Sequence, residues 1–148
     1  PQNPNDHFTS KYLDEANEPL FPFGHGLTYG DFVYSGLEVT PGAADPSDSF
    51  AISVTVTNRG ARAARETGFL FVRDPVARIS RPVLELKGFS SLTLEPGQSG
   101  VLQFTLPAQA MTYPGPGLEP LYEAGDIEIF VGPAADPDRL LSATVRLA

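Results

Sequence analysis

The sequence predicts an all-β fold, a two-sheet sandwich of seven to eight strands behind an irregular N-terminal arm. Three observations carry that prediction. Apolar runs of strand length recur at spacings of roughly 8–12 residues, with turn chemistry between them. The 15 prolines and 14 glycines among 148 residues suit short strands and tight turns and disfavour long helices. No helical pattern alternates with the strands, as a parallel βαβ fold would require.

The arm is expected to occupy residues 1–30 and the sandwich residues 31–148. The arm opens on the polar run Pro1-Gln2-Asn3-Pro4-Asn5-Asp6, which reads as linker, and shows neither helical nor strand periodicity. The chain starts at Pro1 rather than Met and is expected to be a piece of something longer. Further on, Leu20, Phe21, Phe23, Leu27 and Tyr29 crowd into one short stretch. Side chains of this size are worth roughly 1.5–3 kcal/mol each when buried, so the stretch is expected to dock on something.

Strands begin after Asp31. Residues 32–39 form the first, closed by Pro41-Gly42. In residues 50–57, Phe50, Ile52, Val54 and Val56 alternate with small or polar partners, the mark of one buried and one wet face, and Asn58-Arg59-Gly60 signals a turn. Residues 67–73 are apolar on both parities, so that strand is expected to be covered on both faces, either centrally in its sheet or against another domain. Residues 83–89 and 92–94 follow, then Glu95-Pro96-Gly97-Gln98, whose Pro and Gly fit a type II turn and a hairpin-like reversal. Leu102, Phe104 and Leu106 share a face, residues 108–111 suggest one short helical turn, and Ile127, Ile129 and Val131 share a face, as do Ala143, Val145 and Leu147. Tyr122 suits either a tyrosine corner capping backbone at a sheet edge or a plain core tyrosine. Together these elements select an immunoglobulin- or fibronectin type III-like sandwich, with a closed barrel as the alternative.

Composition excludes several functions. A net charge of -8 with no basic cluster argues against nucleic acid or an anionic membrane as partner, and no apolar run is long enough to span a bilayer. With no cysteine there is neither a disulfide framework nor a thiolate metal site. The two histidines, His7 and His25, both lie in the arm without a nucleophile or orienting partner nearby, so a Ser/His/Asp arrangement is not expected. His25, between Gly24 and Gly26, reads as a packed or hydrogen-bonded imidazole in a docking segment, and the Gly24-His25-Gly26 run, which neither follows a strand nor opens a helix, is no phosphate loop. Asp45/Asp48 and Asp136/Asp138 flank prolines and read as turn residues rather than calcium ligands. Asp14, Glu15 and Glu18 read as a solvated acidic stretch rather than paired catalytic carboxylates. Arg78 and Arg81 lie in a loop that either pairs with carboxylates of a neighbouring domain or is simply exposed. No catalytic residue, cofactor or metal is expected in this chain.

Three stretches carry a resemblance. Residues 12–29 (YLDEANEPLFPFGHGLTY), residues 80–89 (SRPVLELKGF) with Leu94-Glu95-Pro96-Gly97, and Gly125–Gly132 resemble, in order and spacing, the C-terminal end of family three glycoside hydrolases of the β-glucosidase type. In that family a (β/α) barrel carries the aspartate nucleophile, a following α/β domain often supplies the acid/base glutamate, and a fibronectin type III-like domain closes the chain. The resemblance covers only that last piece, and the family's catalytic motifs match no position here. It implies a non-catalytic accessory domain whose partners are the catalytic domains of its own polypeptide, met through Leu20, Phe21, Phe23, His25, Leu27 and Tyr29, with Arg78 and Arg81 beside them. It also implies a periplasmic or secreted rather than cytoplasmic setting. Residues 110–120 depart from the family pattern in being rich in Pro and Gly. The alternative is a carbohydrate- or polymer-binding module that presents aromatic side chains to its ligand, although tryptophan, the commonest platform for sugar rings, is absent.

Overall fold

A computed structural model describes residues 19–76, 82–115 and 117–148. Its described residues form two facing sheets, antiparallel except where the two-residue β2 pairs in parallel with β10, and a small hairpin. The strands are β1 (Phe32–Thr40), β2 (Ala43–Ala44), β3 (Ser49–Asn58), β4 (Ala64–Arg73), β5 (Glu85–Leu94), β6 (Ser99–Pro107), β7 (Tyr113–Pro114), β8 (Pro120–Leu121), β9 (Gly125–Gly132) and β10 (Leu141–Leu147). Seven are long and three, β2, β7 and β8, have two residues each. One sheet runs β1-β3-β6 and the other β2-β10-β9-β4-β5, so the barrel alternative gives way to an open sandwich.

The side-chain period of two builds the core directly. Phe50, Ile52, Val54 and Val56 of β3 and Leu102, Phe104 and Leu106 of β6 face Leu70 and Val72 of β4, Ile127, Ile129 and Val131 of β9 and Val145 and Leu147 of β10. The 3-10 turn at Ala108–Met111, where the sequence places a helical turn, contributes Ala108 and Met111 to the same core. In β1 a bulge around Gly36 shifts the pairing with β3 between Ser35 and Glu38. The inward residues accordingly change parity, from Phe32 and Tyr34 to Leu37 and Val39.

Residues 83–94 depart from the two-segment reading. They hold one strand, β5, whose pairing with β4 slips by a residue: Leu70 faces Gly88 while Phe71 faces Leu86, which leaves Lys87 as a bulge. The Lys87 ammonium folds back to the Ala110 carbonyl at 2.7 Å and to Glu85. The reversal at residues 95–98 is the predicted turn, with Gln98 N–H donating to the Glu95 carbonyl at 3.0 Å and Gly97 at φ 76°. It is not a hairpin, because β5 and β6 belong to different sheets and the turn arches over the end of the core.

The turn after β3 makes the same crossing, and Asn58 ties the two arches together. Its side-chain amide donates to the carbonyls of Arg62 (2.8 Å) and Leu94 (3.0 Å) and its oxygen accepts from Gly60 N–H (2.9 Å). Its backbone exchanges bonds with Gln98 and Gly97. Asn58 is wholly buried and wholly engaged, as a buried polar group must be.

The remaining turn residues behave as their chemistry dictates. Asp48 accepts from Asp45 N–H at 3.0 Å, and Asp136 accepts from Asp138 N–H at 3.2 Å to cap the short 3-10 turn at Pro137–Arg139. Tyr122 does something of both roles open to it, since its ring packs on the core and its hydroxyl meets the Ala44 carbonyl at 3.4 Å beside the edge strand β2. The Pro/Gly-rich segment carries the β7-β8 pair, closed by Gly115 N–H on the Glu119 carbonyl at 2.7 Å.

Candidate functional site

Among the described residues, a turn of the arm clips onto the sandwich. Pro22 and His25 close a turn, with His25 N–H on the Pro22 carbonyl at 2.9 Å, and Gly24 takes φ 84°, the value required at the third position of a type II turn. The turn presses the Phe23 ring edge-on against Phe69 (centroids 5.6 Å, 73°) and Phe71 (6.3 Å, 89°). The Phe23 carbonyl accepts from Ala135 N–H at 2.8 Å. Gly24 lies so close to the loop after β9 that a Cβ there would stand 3.1 Å from the Ala134 Cα and 2.9 Å from the Phe69 ring. This clip answers why β4 is apolar on both parities. Leu70 and Val72 enter the core, while Phe69 and Phe71 point outward from the interior of the sheet and are covered by the chain's own arm.

The other arm residues face away. Leu20, Phe21, Leu27 and Tyr29 are 87%, 65%, 98% and 87% exposed, and Phe23 itself keeps 59% of its surface in solvent. His25 is exposed and leans on the Phe21 ring at 4.7 Å between centroids. Of the remaining sequence candidates, Arg78, Arg81, His7, Asp14, Glu15 and Glu18 lie outside the described residues.

Between arm and sandwich runs an open cleft of about 340 Å³, walled by Leu27 and Thr28 on one side and by Glu66, Phe69 and Arg139 on the other. Glu66 is a buried carboxylate that sequence reading passed over. The sequence pattern starts the strand at Thr67, whereas β4 starts at Ala64 and places Glu66 on the inward parity with Gly68, Leu70 and Val72. Its Oε1 accepts from the Tyr34 hydroxyl at 2.9 Å. Burial pushes the Glu66 pKa up, against the opposing pulls of the Tyr34 bond, the Arg139 charge and the Thr67 backbone N–H. Burial likewise raises the Tyr34 phenol, and the Glu66 charge adds to it. The pair is an internal strut between the sheets, its carboxylate turned to a core tyrosine.

A raised carboxyl pKa has a definite sign. Stability from Glu66 is fully present below the carboxyl's unfolded value of roughly 4.3 and is lost as pH rises through its higher folded value. Glu66→Gln keeps an oxygen for Tyr34 and carries no charge. It is therefore expected to melt above the parent at pH 7 and to lose that advantage as pH falls toward 4. Thermal melts across pH 4–8 test this, and a difference that does not change with pH contradicts the assignment.

Among the described residues no three His, Asp or Glu side chains converge as a metal site requires, and no helix is long and apolar enough to cross a membrane. Among the described residues the arm presents exposed apolar side chains, Leu20, Phe21, Leu27 and Tyr29, beside the clip.

Comparison with known proteins agrees with the sandwich and extends it. A family model described as a fibronectin type III-like domain matches residues 66–135. The chain is 36% identical over 132 residues to the periplasmic beta-glucosidase of Salmonella typhimurium, covering 89% of this chain and 17% of that protein. It is 37% identical over 139 residues to thermostable beta-glucosidase B of Acetivibrio thermocellus, covering 93% of this chain and 18% of that one. Among solved structures, the beta-glucosidase from Listeria innocua in complex with glucose superposes with a TM-score of 0.84 at 32% identity, over 100% of this chain and 21% of that chain. The chain thus spans less than a fifth of the length of these two curated relatives.

Proposed function

The chain is a fibronectin type III-like domain of the kind found within family three beta-glucosidases, and from that premise we propose that it is a non-catalytic accessory domain of a hydrolase acting on O-glycosidic bonds. In this reading residues 1–30 are a docking arm and residues 31–148 the sandwich that carries it. The partner is the catalytic part of the same polypeptide, and the setting is periplasmic or secreted, in keeping with the Salmonella relative. The observation that carries the reading is the arm itself. Leu27 and Tyr29 stand almost wholly in solvent beside a clip that fixes their position, an arrangement without use in a free-standing sandwich. Leu20, Phe21, Phe23 and His25 complete the surface, and Arg78 and Arg81 are assigned to it from the sequence.

The test is the pair Leu27→Ser and Tyr29→Ser made together. In the isolated chain these side chains touch little, and the melting temperature is expected to stay within about 3 °C of the parent. In the full-length hydrolase the same change removes two side chains from a contact worth roughly 1.5–3 kcal/mol each. Its half-life for thermal inactivation, read by β-glucoside hydrolysis, is expected to fall at least tenfold. Equal half-lives would sink the reading.

A further inference from the structure

The two outer faces of the sandwich differ in chemistry. On the β1-β3-β6 sheet the outward residues are mostly polar, among them Thr55, Thr57, Gln103 and Thr105, with Val101 half-exposed opposite Thr55. On the other sheet the outer part of the β9-β10 half is polar, with Arg146 paired to Asp126 at 3.1 Å and Ser142 and Thr144 exposed, while Phe130 of β9 lies opposite Phe71 beneath the Arg73 guanidinium. The β4-β5 half is mixed, with Arg65 donating to Ser91 at 2.7 Å at one end and an apolar patch beyond it. There Phe69 stands directly opposite Phe89 and Phe71 opposite Leu86, with Phe89 71% and Leu86 41% exposed.

We infer that the exposed part of this β4-β5 face, Phe89 and Leu86 beside the arm-covered Phe69 and Phe71, is a second docking surface for the catalytic part of the parent polypeptide. The inference rests on the accessory-domain reading above and adds to it a surface on the sandwich proper. Continuity points to that occupant. Phe69 touches the clip through Phe23 and lines the same cleft as Leu27, so the arm surface and the strand surface join at one residue. The protein available to cover them is large, since the chain accounts for only 17–18% of the length of the two beta-glucosidases compared above. The mode of contact is also set. The Lys87 bulge, with its ammonium folded back to Ala110, blunts the β5 edge against strand addition, which leaves a face-on contact through side chains. A sugar chain fits less well, because Phe23, Phe69 and Phe71 lock one another at interplanar angles of 36–89° and offer no coplanar platform.

Phe89→Ser tests the inference in two settings. The isolated chain is expected to melt within about 3 °C of its parent, since Phe89 is mostly in solvent. In the full-length hydrolase the backbone amides of Glu85–Leu94 are expected to exchange with deuterium at least tenfold faster in Phe89→Ser than in the parent, because the covering surface is released. Leu27→Ser/Tyr29→Ser in the same protein separates the two claims. If it shortens the half-life for thermal inactivation while Phe89→Ser leaves exchange unaltered, the β4-β5 face is not a docking surface and the accessory-domain reading survives. If neither variant has an effect, the reading itself fails. Retention of the isolated chain on insoluble β-glucan, lost in Phe89→Ser, would overturn the inference by assigning the face to polysaccharide.

Discussion

Asn58→Asp is expected to destabilise the isolated domain by about 3–5 kcal/mol, the range found when one member of a buried hydrogen-bonded network is replaced by an uncompensated charge. The side-chain amide of Asn58 donates to two carbonyls, those of Arg62 and Leu94, and a carboxylate can donate to neither. It would instead oppose both oxygens with a negative charge at a position with no solvent exposure. Of the three side-chain bonds only that from Gly60 N–H survives the change. Asn58→Ala removes the repulsion but leaves the same carbonyls without their donor, including that of the buried Leu94, and is expected to cost roughly 2–3 kcal/mol. In urea the midpoint of each variant should fall in that order with an unchanged slope, since the surface exposed on unfolding is the same. A melting temperature for Asn58→Asp within about 3 °C of the parent contradicts the role given to this residue.

Asn58 also shows what the sequence could and could not disclose. Asn58-Arg59-Gly60 is legible as a turn, and so is Glu95-Pro96-Gly97-Gln98, because each carries residues with a local conformational reason to be there. That both turns cross between sheets, and that one asparagine holds them together, depends on residues some 40 positions apart and has no local signal. The long alternations of β3 and β9 are legible because one face is apolar and the other is not. The bulges near Gly36 and at Lys87 break that alternation, which is why β5 reads as two segments.

The proposed docking surface is legible in composition and not in geometry. Five large apolar side chains in residues 19–29 announce a contact, but nothing in their order says that Phe23 turns to the sandwich while Leu27 and Tyr29 turn away. The double parity of residues 67–73 is the counterpart of that fact, since Phe69 and Phe71 are the clip's receiving side. Phe89 is a lone aromatic in the sequence. Only the register that sets it opposite Phe69 makes it part of a face.

Gly24→Val is expected to open the clip while leaving the sandwich folded. Two costs add at this position. A β-branched residue at φ 84° carries a strain of roughly 1–3 kcal/mol. Its Cβ would also stand 3.1 Å from the Ala134 Cα and 3.2 Å from the Pro133 carbonyl, backbone atoms that cannot rotate aside as the end of a side chain could. Against this the clip sets one hydrogen bond, worth about 1 kcal/mol, and the partial burial of one phenylalanine, worth at most roughly 2 kcal/mol. The penalty matches or exceeds what holds the clip, so release of the turn is the cheaper response. No core side chain of the sandwich is among the groups displaced, and the global unfolding free energy should fall by no more than about 1–2 kcal/mol as Phe69 and Phe71 lose their cover. Hydrogen exchange distinguishes the local event from the global one. The Ala135 amide, bonded to the Phe23 carbonyl, should lose its protection while the amides joining β3 to β6 keep theirs. On the accessory-domain proposal, the same substitution in the full-length hydrolase frees the arm from the position in which Leu27 and Tyr29 would meet the catalytic part. Its half-life for thermal inactivation should fall at least as far as in Leu27→Ser/Tyr29→Ser, although neither of those side chains has been touched. A protected Ala135 amide in Gly24→Val would show that the turn tolerates the side chain and that the clip is not what positions the arm.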